Sequence, residues 1–143
     1  MSSPRYWLLI AAHDHVQRGV EGGFCQANHG KAQNLKRMHK SDGVVFYSPK
    51  EKYGESTPLQ KFTAIGRISD DAVYQAQMTP DFEPFRRHVD FAKSQATPIA
   101  PLIDALSFIK NKAKWGSTFR FGFLEIPEED FTRIEKRMLD NPA

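Results

Sequence analysis

The residues of this chain that could do chemistry gather in one stretch. His13-Asp14-His15-Val16, Gly19, Gly22-Gly23-Phe24-Cys25-Gln26 and His29-Gly30-Lys31 hold three of the five histidines and the only cysteine. Three chemistries compete for them. His13 and His15 are two residues apart and Cys25 and His29 four apart, a Cys-His₃ set that zinc accepts. The spacing matches no zinc finger, and no paired CxxC is present, so no metal or other cofactor is expected. Cys25 with His29 or His13, oriented by Asp14, would make a thiol nucleophile. No nucleophile signature surrounds it, and a lone cysteine beside Phe24 reads as a small buried residue. Ser48 lacks the Gly-x-Ser-x-Gly elbow. Asp70-Asp71 reads as a turn and Glu128-Glu129-Asp130 as a helix start, which leaves no carboxylate pair for acid–base work. An enzyme is therefore disfavoured. A small metal-dependent or Cys/His hydrolase built on His13, His15, Cys25 and His29 remains the alternative, together with a peptide or small-ligand binding module.

The third chemistry is anion and base binding. Gly22-Gly23 and Gly30-Lys31 offer backbone N–H groups that can nest a phosphate, although neither forms a Walker loop. Arg86-Arg87, Lys110, Lys112, Lys114 and Arg120 supply cations to follow a phosphate backbone; a solvated charged face is the plain alternative for Lys110 to Lys114. An unstacked base needs flat π surfaces and a few fixed polar groups. Trp7, Phe24, Tyr47, Trp115 and Phe119 are candidate surfaces. His13, His15 and Ser48 are candidate polar contacts. Core packing is the competing role for each ring taken singly.

Bulk properties set the frame. The length of 143 residues fits one domain, residues 1–143, able to bury a core without staples. A net charge of +3 and pI of about 9.0 permit a polyanionic partner without demanding one. A single cysteine excludes an internal disulfide and fits a reducing cytoplasm. The apolar run Trp7 to Ala12 is too short to cross a bilayer, so no membrane attachment is expected. Oligomeric state is not legible.

The elements that must position these residues follow from periodicity. Tyr6 to Ala12 is apolar on both faces and reads as a central strand. Lys31 to Met38 reads as one or two helical turns with Leu35 and Met38 inward. Val44 to Ser48, Phe62 to Ile68, Val73 to Met78, Phe85 to Phe91 and Phe119 to Ile126 read as strands. Gly66 inside one of them marks a bulge or a close backbone approach. Arg87 sits on the apolar side of its strand. Ile99 to Ile109 repeats at helical spacing, with Pro98 and Pro101 near its start. Trp115-Gly116-Ser117 reads as a loop. Pro127 followed by three acids opens a last helix, with Phe131, Ile134 and Met138 inward. Most strands lack a helical crossover between them. The expected architecture is α+β, a mixed curved sheet closing toward a barrel with short flanking helices.

Eight short motifs in order carry a resemblance. They are Tyr6-Trp7-Leu8-Leu9, His13-Asp14-His15-Val16, Gly23-Phe24-Cys25-Gln26, His29-Gly30-Lys31, Leu35-Lys36-Arg37-Met38, Asp42-Gly43, Tyr47-Ser48-Pro49 and Trp115-Gly116 through Phe119-Arg120-Phe121-Gly122. Together, from Tyr6 to about Met138, they resemble the EVE-domain family, in particular its small bacterial stand-alone members. The resemblance implies a PUA-like pseudo-barrel, related to the RNA-binding YTH and ASCH domains. It also implies non-catalytic recognition of a modified nucleobase in DNA or RNA within an aromatic-walled pocket. The residues it points to are Trp7, His13, His15, Tyr47, Ser48 and Trp115 as lining. Phe24 adds a flat surface, and His29, Lys31, Arg86 and Arg120 serve backbone phosphates or brace the first connection.

Overall fold

The unbroken apolar run at the start of the chain is a strand with a core on each side. The computed structural model describes residues 3–27, 30–52 and 54–139. Among them, eight strands follow in order: β1 (Tyr6–Ile10), β2 (Phe24–Cys25), β3 (Gly43–Lys50), β4 (Pro58–Ile68), β5 (Tyr74–Gln75), β6 (Phe85–Phe91), β7 (Thr97–Pro98) and β8 (Phe123–Ile126). Two α-helices, α1 (His13–Gly22) and α2 (Glu128–Leu139), flank them, with 3-10 turns at Leu35–Arg37, Ala100–Ala105 and Trp115–Phe119. The sheet order is β2-β6-β4-β3-β1-β8, with β5 on β6 and β7 on β4. Only β1 and β3 run parallel, Leu8 opposite Val45 and Ile10 opposite Tyr47. The result is a mixed sheet curled into a half-barrel, the α+β architecture expected from the pattern. Among the described residues, no helix is long and apolar enough to cross a membrane.

Alternation along β1 and β3 assigns side chains to the two cores. Leu8, Val45, Tyr47, Phe62 and Ile65 pack against Phe131, Ile134 and Met138 of α2. Trp7, Leu9, Val44 and Phe46 pack on the opposite face, against Val16 of α1, Leu35 and Met38. Two buried polar groups lock the periphery of the second core. Asp42 accepts from Trp7 Nε1 at 2.9 Å and from the N–H groups of Arg5 and His39. Arg87, only 1% exposed, donates to Asp70 Oδ1 at 2.6 Å and to the carbonyls of Leu35 and Met38. This explains an arginine on the apolar side of β6: its guanidinium ties that strand to the Leu35–Arg37 turn. Gly66 is a close approach, since a Cβ there would collide with the Asp90 carbonyl of β6.

One helix is unannounced in the sequence pattern, and three expected elements need correction. The His/Gly-rich stretch after β1 begins with the helix α1. Its glycines answer to space. A Cβ at Gly19 would sit 2.5 Å from the Phe24 carbonyl oxygen, and Gly23 closes the helix in the left-handed conformation at φ 71°. The strand expected over Val73 to Met78 pairs only at Tyr74–Gln75, because the chain then turns at Thr79 to Phe82. The helix expected over Ile99 to Ile109 is a 3-10 segment ending at Ala105. The strand expected from Phe119 begins at Phe123. The preceding residues complete the Trp115–Phe119 turn and pass through Gly122 at φ 76°.

Candidate functional site

Two cavities open beside the C-terminal end of β1, whose last residue, Ile10, lines both. The larger, about 810 Å³, lies between α1, β2 and the hairpin at Met78–Phe82. Its apolar wall includes Phe24, Phe46, Phe82 and Phe121, and its charged groups are Arg18, Lys31 and Arg120, with His15 beside them. No carboxylate lines it among the described residues. The smaller, about 240 Å³, is walled by Tyr47, Trp115 and Phe119. Ile10 and Arg120 line both.

The expected single pocket is thus divided. His15, Phe24 and Lys31 line the larger cavity, Tyr47 and Trp115 the smaller, and Arg120 both. Arg86 stands behind the larger cavity. Its guanidinium carbon is 3.7 Å from the Phe24 ring centroid, and its Nε donates to Gln26 Oε1 at 2.7 Å. The cation braces two lining residues, as a guanidinium over a ring face does.

Three expected lining residues are placed elsewhere. Trp7 is fully buried in the second core, flanked by Arg5 and Arg37 guanidinium groups 4.7 and 5.0 Å from its ring. Its partner across the ladder is Val44, three residues before Tyr47, so Trp7 and Tyr47 point to opposite faces of the sheet. Ser48 is also fully buried, sharing a 2.7 Å hydrogen bond with Thr63 Oγ1. His13 starts α1 with Nδ1 3.0 Å from Glu51 and does not line either cavity among the described residues. His29 lies outside the described residues.

Other lining residues carried no motif signal. Phe82 and Met78 come from a hairpin that reads as a broken strand. Phe121, 78% exposed and the most exposed large hydrophobic among the described residues, hides inside what reads as a continuous strand. Arg18 is displayed by α1, which the glycines conceal. Lys112, a candidate for following phosphates, instead caps the carbonyls of Ile103 and Leu106.

Electrostatics separate binding from nucleophilic chemistry at this site. Burial pushes the Cys25 thiol up to about 12, only partly offset by the neighbouring Arg87. A thiol held there carries almost no thiolate near neutrality. Among the described residues, no group of three or more His, Cys, Asp or Glu side chains comes together as a metal would require. Burial also pushes the Tyr47 phenol up to about 12.

The sequence matches the family model of the EVE domain over residues 5–137. The chain belongs to the EVE-domain family. This EVE domain is 52% identical over 135 residues to a UPF0310 protein of Mycobacterium avium, covering 94% of this chain and 98% of that one. It is 50% identical over 137 residues to a UPF0310 protein of Mycolicibacterium vanbaalenii, covering 96% and 94%. Its fold is shared with the YTH domain of the Zygosaccharomyces rouxii MRB1 protein, solved in complex with N6-methyladenosine RNA. That likeness has a TM-score of 0.65 at 11% identity and covers 100% of this EVE domain and 89% of the YTH domain.

Proposed function

We propose that this EVE domain is a non-catalytic nucleic-acid-binding module that takes one base, in particular a modified base, into the larger cavity. One observation carries the reading: phenylalanine walls and three cations share a cavity whose described lining holds no carboxylate. A nucleotide offers a flat apolar base and an anionic phosphate, and this lining answers both. Phe24, steadied by Arg86, and Phe82 offer ring surfaces. Arg18, Lys31 and Arg120 face the strand's phosphates. Stacking contributes about 1–3 kcal/mol per base, and the cations add a salt-dependent, sequence-independent share. Shape and the polar groups His15 and Gln26 would then discriminate among bases.

Family membership and the RNA-bound YTH domain of the same fold support this reading. The protonated Cys25 thiol supports a binding role over a Cys/His hydrolase. A lone buried cysteine also suits a reducing, cytoplasmic setting.

The test is a panel of short DNA and RNA strands, with and without methylated bases, titrated against the protein at two salt concentrations. Saturable binding that differs between modified and unmodified strands and weakens in Phe82→Ala is expected. Failure of every strand to bind would refute the proposal.

A further inference from the structure

We propose that the smaller cavity is a second base site, which receives the nucleotide adjacent to the one held in the larger cavity. This rests on the reading of the larger cavity given above. Three independent features of the smaller cavity point to a planar ligand. First, its wall is aromatic. The buried Tyr47 and Phe119 rings stack on each other at 4.4 Å and 23°, and Trp115 stands edge-on to Tyr47 at 6.4 Å and 84°, so the half-exposed Trp115 is the ring surface left for a base. Second, it holds an unused polar group. Tyr47 is 2% exposed and its hydroxyl has no hydrogen-bond partner among the described residues, yet no fully enclosed polar atom there is left unsatisfied. The oxygen therefore opens onto the cavity that Tyr47 lines, where a ring nitrogen, carbonyl or amino group of a base would pair with it. Third, the backbone is held out of its ordinary conformation at the cavity wall. Gln60 is not glycine but has φ 56°, in a segment where the β3–β4 register shifts. Strain of this kind collects at ligand sites, and here it accompanies a side-chain amide beside the Tyr47 hydroxyl's cavity.

Arg120 links the two cavities and sets the geometry. It lines both, so one guanidinium is placed for the phosphate that joins two successive nucleotides. Gly116 stands at the exposed rim of the second cavity, where a Cβ would meet nothing within 4 Å.

The test uses five-nucleotide strands that are abasic except for one central base or two adjacent central bases, with a fully abasic strand as reference, in deoxyribose and ribose forms. The intact chain should bind the two-base strand at least about fivefold tighter than the one-base strand, the lower end of what stacking one base contributes. Trp115→Ala, which removes the half-exposed ring from this cavity's wall, should abolish that difference and leave the one-base affinity unchanged. Gln60→Gly, which relaxes the backbone, should reduce it. Equal binding of one-base and two-base strands, with the one-base strand still tighter than the abasic one, overturns the second site and leaves the first standing. Persistence of the difference in Trp115→Ala overturns it as well. A fully abasic strand that binds as tightly as the one-base strand overturns both readings.

Discussion

Replacing Gly22 with alanine should separate folding from binding. Gly22 ends α1, and a Cβ there would lie 2.5 Å from Phe24 Cε2 and 2.7 Å from Cδ2. Neither distance is tolerable, so the ring must move. Its face is covered by the Arg86 guanidinium 3.7 Å from the centroid, and displacement gives up that contact, worth about 0.5–2 kcal/mol. Alanine in a helix gains roughly 0.8–1.0 kcal/mol over glycine. The two nearly cancel, so denaturant midpoints should place Gly22→Ala within about 1 kcal/mol of the parent. Binding should respond differently. If the Phe24 ring stacks on a base, its loss forfeits about 1–3 kcal/mol, which is a weakening of roughly 5- to 150-fold. Fluorescence anisotropy with a labelled strand reads the affinity, and a ring-current change in the NMR spectrum confirms that Phe24 has moved. A folded variant with a displaced ring and an affinity within twofold of the parent would refute the reasoning.

Three further outcomes are expected. Arg87→Met should cost about 3–5 kcal/mol in a urea titration, because it leaves the Asp70 carboxylate that Arg87 pairs at 2.6 Å without its cation; binding by any residual folded protein should be unaffected. The Cys25 thiol should resist alkylation at pH 8 until the protein unfolds. Its folded pKa is raised from 9.0 to about 12, so its contribution to stability is complete below pH 9 and is lost as the pH rises toward 12. The stability advantage of the parent over Cys25→Ala should shrink across that window, and a constant difference would contradict the burial argument. Arg18→Ala and Lys31→Ala should each lower the slope of log affinity against log salt by about 1, as loss of one phosphate contact does, whereas Lys110→Ala, which lines neither cavity, should leave it unchanged.

Much of the frame was legible because burial on both faces leaves a plain record. The unbroken run Tyr6–Ile10, the β-rich segments at β3, β4 and β6 and the acid-led start of α2 all report their surroundings directly. The misplaced elements share a cause: small or breaking residues serve tertiary neighbours. Gly19 and Gly22 give no helical signal, yet they make room in α1 for Phe24. At the site, sequence proximity stood in for spatial proximity and failed. Trp7 and Tyr47 lie on paired strands, yet the strict alternation of β structure sends them to opposite cores. Ser48 follows Tyr47 within β3 and so alternates away from the cavity toward Thr63. Phe82, Met78 and Phe121 went unseen because they sit at turns, where no apolar periodicity marks which side chains face a cavity.

The structure of the protein bound to a short strand carrying a recognised base is the most direct measurement of the central claim. The expected result is one base inside the larger cavity, stacked on Phe24 or Phe82, with its phosphates beside Arg18, Lys31 or Arg120. A strand bound only along the outer surface, with that cavity free of any base, would contradict it.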